Sequence, residues 1–287
     1  MSSSPSSVCP SCPPGAEEGH RCAVYPSSSL SDAEWALLEP LLPAPGNTHG
    51  KGGRPEKHCR RLILDAIFYL VRGGIAWAQL PCEFPPRSTV YDLFRRWVSA
   101  GAWLRVHDAL RDRLRVRAGR RPCPSAAVVD SQTVAGADTV PSGGRGWDSA
   151  KATNGRKRHL AVDVTGLVLV VLVTAACIQD RDAGHRLLAA LRGAFSTIRL
   201  VWADAGYRGR LVRWTNRVLA LPMQIITRLP GVRGFHVRPW VWVIERTFGW
   251  ISKHRRCVRD YETRTDHHEA MIYLAMTRTM LRRLART

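Results

Sequence analysis

The chain lacks any stretch long and apolar enough to cross a membrane as a helix. Its longest nearly apolar run, LVLVVLVTAAC at 167–177, has about half the roughly 20 residues a bilayer demands, and its β-branched residues suit a buried strand. The first 25 residues are rich in Ser, Pro, Cys and Gly and contain no apolar core of a leader, so a cytoplasmic location is expected. Closely spaced cysteines are also scarce. Only Cys9 and Cys12 form a C-x-x-C pair, with His20 and Cys22 behind them. That order can hold zinc, but the Pro/Gly/Glu spacer reads as a low-complexity tail instead. The other five cysteines are expected to be small buried hydrophobes of a reducing compartment.

Acid is the other scarcity. Against 43 Lys+Arg stand 23 Asp+Glu, a net +20 spread along 287 residues. Such a surplus points to a polyanionic partner, because neutralising phosphates releases counterions and rewards each cationic contact. Ten Trp argue for a packed protein, and the length allows one large or two ordinary domains.

Three units are expected along the chain. Residues 1–28 read as a disordered tail. Residues 29–118 read as a small all-helical DNA-binding module. Ser31 and Glu34 form a capping box that opens SDAEWALLEPLLP, and HCRRLILDAIFYLVRGG repeats apolar residues at helical spacing before two glycines. Ser88 is placed to cap a third helix carrying Arg95 and Arg96, which suits a recognition helix, and a fourth spans about 103–118. After RAGRRPCPSA the periodicity changes. Residues 119–287 alternate a strand (126–130), a hairpin (159–175) turning at Asp163–Gly166, a helix from Asp180, a strand ending WAD, and helices near 239–256 and 266–285, the last opened by Asp266. An α/β domain with a mixed sheet fits that order.

Asp130 ends the first strand of that domain and Asp204 the last, while Glu245 flanks the apolar stripe Trp240, Ile244, Phe248 and Ile251 of a helix. Carboxylates at neighbouring strand ends converge, and a packed helix can add a third. Such a cluster repels itself and DNA unless it holds cations, and its hard oxygens suit Mg²⁺ or Mn²⁺, a pair of which serves in-line phosphoryl displacement. Each residue has a plainer reading: Asp130 and Asp204 as caps or turn formers, Glu245 as half of a surface ion pair with Arg246. Asp163, Asp180 and Asp182 read mainly as caps and turn formers. Arg156, Lys157 and Arg158 before a strand, with Arg246, Lys253, Arg255 and Arg256 on and after the late helix, are candidate phosphate contacts.

From about residue 30 to its end the chain resembles the bacterial insertion-sequence transposases with a DDE triad, the IS-five group. LSDAEWALLEPLLP, FPPRSTVYDLFRRW, VVDSQTV, NGRKRHLAVDVTGL, AACIQDRDAG, WADAGYRG, IERTFGWISKHRRCVRDYE and EAMIYLAMTRTMLRRLA carry the likeness, in that order. The resemblance implies an RNase H-like catalytic domain, Asp130, Asp204 and Glu245 as triad and metal ligands, and two Mg²⁺ or Mn²⁺ ions. It also implies double-stranded DNA as partner (element ends and target), a homodimer or higher assembly at synapsis, and a nucleoid-associated place in the cytoplasm. The expected reaction is cleavage of each element end to free a 3′-OH, which then attacks target DNA. Where the family often has an arginine four residues before the glutamate, this chain has Val241; the basic residue after it is Lys253. A DNA-binding regulator with a degraded site and a metal-dependent nuclease without strand transfer are the alternatives. The intact carboxylates argue against the first.

Overall fold

The computed structural model describes residues 25–45, 56–227 and 239–286. The Cys9–Cys22 pattern lies outside them. The last residues of the expected tail lie inside, and they are packed: the Tyr25 ring stacks near Tyr69 and Phe84, with centroids 4.6 and 5.4 Å away, and Ser28 is buried.

Four helices come first. The expected capping box forms, with Ser31 accepting from the Glu34 amide and Glu34 accepting from the Ser31 amide, and it starts α1 (Asp32–Leu38). α2 (Arg60–Gly73) ends at Gly74, whose φ of +73° a side chain would strain; a Cβ there would also meet Arg255 Cβ at 2.8 Å. α3 (Arg87–Ser99) begins after Pro86, so Ser88 lies within the first turn and is not its cap. α4 (Ala102–Arg117) completes the group.

One six-stranded mixed sheet follows. β1 (Ala126–Ala135) pairs antiparallel with β3 (Thr153–Asp163), which pairs on its other edge with β2 (Gly146–Asp148) and β4 (Val168–Ala175). On the far side β1 runs parallel to β5 (Leu200–Ala203), and β5 runs parallel to β6 (Met223–Ile225). The hairpin turns where expected, because Asp163 Oδ1 accepts from the amides of Thr165 and Leu167 and from the Thr165 hydroxyl. α5 (Asp180–Ala194) links β4 to β5, and α6 (Arg210–Val218) links β5 to β6. α7 (Pro239–Ser252) and α8 (Thr265–Leu284) close the chain. Asp266 does not cap α8: the capping position is Arg264, and Asp266 pairs with its guanidinium.

Strand alternation sorts the core into two layers. Val129, Ala161, Val201 and Ala203 face Leu187, Leu188 and Leu191 of α5 and Leu211 of α6. Val128, Leu160, Val162 and Val171 face Ile244 and Phe248 of α7 and Met271 and Leu274 of α8. The second layer does not stop at the sheet domain. It runs on through α8 into Leu64, Ile67, Phe94, Trp103 and Leu110 of the first four helices, so helical module and sheet share one core. Of the five cysteines expected inside, Cys59 and Cys257 are buried, whereas Cys82, Cys123 and Cys177 are exposed because they lie in loops or just past strand ends.

Candidate active site

Parity and register bring Asp130 and Asp204 together. The parallel pairing sets Val128 opposite Trp202 and Val129 opposite Ala203, so the two aspartates stand one position further along adjoining strands. Val128 and Trp202 belong to the layer under α7, and alternation puts Asp130 and Asp204 toward that same face. α7 packs there through Val241, Ile244, Phe248 and Ile251, all buried, and Glu245 sits beside Ile244 with its side chain exposed. Trp240 anchors the start of that helix by stacking on Trp202, with centroids 4.2 Å apart and planes 8° from parallel.

Local bonds fix the two aspartates. Asp204 Oδ1 accepts from Gly206 N at 2.9 Å and caps the short turn 205–207, so the turn former and the site residue are one and the same. Asp130 Oδ1 accepts from Ser131 N at 2.7 Å. The Asp130 carboxyl is raised to about 7, first by burial and then by the negative fields of Asp204, Asp180 and Glu245, against the opposing pull of the Ser131 amide. A buried carboxyl with three other carboxylates near it, in a chain with a large cationic surplus, makes this cluster the candidate site.

Asp180 is the member of this group that sequence reasoning set aside. As the first residue of α5 it looks like an ordinary helix-start acid, and it lies there. It also accepts from Ser131 Oγ at 2.8 Å and pairs with Lys157 Nζ at 3.3 Å. A Cβ on Gly206 would stand 3.1 Å from Asp204 Oδ1 and 3.6 Å from Asp180 Oδ2, which puts both carboxylates beside the same small residue. Only the fold joins residues 131, 180 and 206; no spacing in the sequence announces it.

The expected phosphate contacts divide. Arg156 and Arg158 are corrections: each is 1% exposed, on the face of β3 that points into the fold. Arg156 pairs with Asp260 at 2.9 Å and donates to the carbonyls of Gly144, Glu262 and Thr263; Arg158 donates to Gln132 and to the carbonyl of Cys257. Arg256 is a third correction, buried against Glu262 at 2.7 Å and the carbonyl of Ile75. Lys157 lies between Asp180 and Asp148, 3.3 and 3.7 Å from them. Arg156, Arg256 and Lys157 are paired with carboxylates inside the fold, and Arg158 is held by neutral oxygens. Arg246 makes no pair with Glu245. It lies between the rings of Trp242 and Trp250, 4.6 and 4.7 Å from their centroids, and donates to the Thr165 carbonyl. Arg95, Arg96, Lys253 and Arg255 are exposed.

The donor set suits a hard divalent cation: oxygens only, and more negative charge around Asp130 than its surroundings offset. Among the described residues no three His, Cys, Asp or Glu side chains close to metal-holding distance of one another. A small ion that keeps several waters and takes substrate phosphate oxygens needs only one or two carboxylates directly.

Comparison with known proteins gives the family. A family profile described as "Transposase DDE domain" matches residues 121–280, and one described as "Putative transposase of IS4/5 family" matches residues 30–107. The chain is 34% identical over 107 residues to the "Insertion element IS402 uncharacterized 16.2 kDa protein" of Burkholderia cepacia, covering 37% of this chain and 71% of that one. It is 30% identical over 131 residues to the "Putative transposase for insertion sequence element IS402" of the same organism, covering 43% of this chain and 62% of that one. No described helix is long and apolar enough to cross a membrane.

Proposed function

Because the chain belongs to the transposases that carry a DDE domain, we propose that Asp130, Asp204 and Glu245 are its metal-holding triad and that it cuts and joins DNA at insertion-sequence ends. The observation that carries this reading is that the parallel pairing of β1 and β5 sets Asp130 and Asp204 side by side on the face covered by α7, the helix that carries Glu245, in a chain of net charge +20. The strand order, with antiparallel β4, β3 and β1 followed by parallel β5 and β6 and helices on both faces, supports an RNase H-like catalytic domain.

The three carboxylates would hold two Mg²⁺ or Mn²⁺ ions. When bound, such a pair activates the attacking oxygen and stabilises the leaving one during in-line displacement at phosphorus. The chain's own residues orient the site. The bond from Gly206 N to Asp204 Oδ1 holds that carboxylate just past the end of β5, and the bond from Ser131 N orients Asp130, which lies within β1 and not at the strand end that the sequence suggests. The Trp202–Trp240 stack and the buried stripe of α7 fix the helix that carries Glu245. In this reading α3 meets DNA through Arg95 and Arg96, and the segment after α7 meets it through Lys253 and Arg255. Two element ends call for two sites, hence a homodimer or a larger assembly at synapsis.

The test is an assay with DNA carrying the element ends, target DNA and Mg²⁺. Asp204→Asn and Glu245→Gln are expected to lower joining by a thousandfold or more, as an order of magnitude, while DNA binding stays near wild type. Joining at wild-type levels by either variant would sink the triad assignment. Cleavage without joining by the wild type would instead identify a nuclease.

A further inference from the structure

The arginines of this protein are mostly spent on the protein itself. On α2, Arg60 pairs with Glu56, Arg61 with Asp32, and Arg72 donates to the Lys253 carbonyl. On α4, Arg111 pairs with Asp108 and Asp112, and Arg115 with buried Asp163. On α8, Arg278 pairs with Glu34 and Arg283 lies over Trp250. α6 departs from this habit throughout, whereas α3 mixes the exposed Arg87 and Arg96 with a paired Arg95. Arg210, Arg213 and Arg217 of α6 are all exposed, and among the described residues none of them has a hydrogen bond or an ion pair.

Their spacing matters. Positions 210, 213 and 217 stand at i, i+3 and i+7, one face of a helix, opposite buried Leu211 and Thr215 that seat α6 on the sheet domain. The sequence of this helix, RLVRWTNRV, contains no acid. Exposed Arg208 extends the row toward the turn capped by Asp204, only four residues before it. Because β5 and β6 are parallel, the helix between them starts at the Asp204 end of the sheet and runs back along its flank. The row thus leaves the candidate site and continues for about 10 Å along a helix that rises 1.5 Å per residue. An ordinary solvated face mixes signs; this one carries a single sign, and the chain reaches it directly from Asp204 of the carboxylate cluster. Holding such a face uncompensated makes sense for a polyanion that must lie across the cluster.

We infer that Arg208, Arg210, Arg213 and Arg217 form a phosphate track on which one strand of a DNA duplex is held as it leaves the Asp204 end of the site. This rests on the reading of the protein as a DNA-processing enzyme and adds to it a surface, which the buried Arg156, Arg158 and Arg256 do not supply. The contact is by charge, so it holds any sequence alike.

The experiment is fluorescence anisotropy of a labelled duplex of arbitrary sequence with the full chain over a series of salt concentrations. For R210A/R213A/R217A the slope of log affinity against log salt should shrink by roughly 0.9 for each arginine that contacts a phosphate. R210K/R213K/R217K should keep most of the slope, since a lysine supplies the same charge. As a control, R120A/R121A/R199A removes three exposed arginines at the opposite end of β1 and β5 and should leave the slope alone. An alanine variant with the wild-type slope and an unchanged melting temperature would overturn the track, as would a control variant that loses as much. A wild type that fails to bind duplex at all, or binds with no salt dependence, would instead overturn the DNA reading on which the track rests.

Discussion

His254 shows how strongly single positions are perturbed by this basic fold. Burial, and then the fields of Arg72, Arg282 and Arg278, lower its pKa to about 3. The unfolded chain takes up that proton near pH 6.5 and the folded one does not, so stability is fully present above 6.5 and falls as pH drops toward 3. His254→Gln should remove about 1.4 kcal/mol per pH unit from the slope of stability between pH 6 and 4, read by urea unfolding at each pH. A slope identical to wild type would show that the imidazole is not held neutral. Arg156 makes the opposite case to a surface cation. Arg156→Met leaves Asp260 buried with one partner fewer and should cost about 3–5 kcal/mol, whereas a residue that only touched phosphate would leave the unfolding midpoint in place. GRKR is visibly basic in the sequence, but which of its residues face inward depends on the strand's phase, and that phase is set by pairing with β1. Asp204 was legible for a related reason: its capping bond and its place at the site come from the same strand-end geometry. Asp180 was not, since a helix-start acid looks alike whether or not Ser131 faces it.

At the scale of elements, long periodic segments were the readable ones. α2, α4, α5, α8 and the β3–β4 hairpin fall where apolar spacing and turn residues put them. α6 and β6 escaped because they are short, nine and three residues, and follow a turn whose chemistry dominates the pattern. The start of α3 is set by Pro86 instead of Ser88 because Pro fixes its backbone for helix entry, and that outweighs a side-chain cap. Within the sheet, β1 and β3 approach so closely at Gly155 that a Cβ would lie 2.0 Å from the Val134 carbonyl oxygen and 2.6 Å from Gly136 N. Both are backbone atoms of a paired strand and cannot move aside. Gly155→Ala should therefore cost several kcal/mol or prevent folding, on the order of the largest single-residue effects. Gly193→Ala on α5, where nothing lies within 4 Å, should be neutral or stabilise by about 0.5–1 kcal/mol. Urea midpoints for the two variants that were equal would contradict the close approach.

At the scale of the molecule, the sequence suggests a helical module followed by a sheet domain, and the shared core ties the two together. α8 is buried on nearly all sides because the sheet covers one flank and α2, α3 and α4 cover the other. A fragment of residues 119–287 would expose Met276, Met280 and Leu281 to water, at about 1.5–3 kcal/mol for each large side chain uncovered. It should aggregate or bind a hydrophobic dye, while the intact chain does neither. A soluble fragment with cooperative unfolding would show that the layers are independent. The overall charge, the shared core and the acidic cluster then compose one arrangement: a cationic surplus over the chain, carboxylates within β1, just past β5 and on α7, and a core that holds these elements in register. In the proposed reaction Asp204 binds a divalent ion. The most direct measurement is joining by Asp204→Cys in Mg²⁺ and in Mn²⁺, because a thiolate is a poor partner for the harder ion and a better one for the softer. Activity should be lost in Mg²⁺ and restored in part by Mn²⁺. Joining by Asp204→Cys in Mg²⁺ at the wild-type rate would contradict that role.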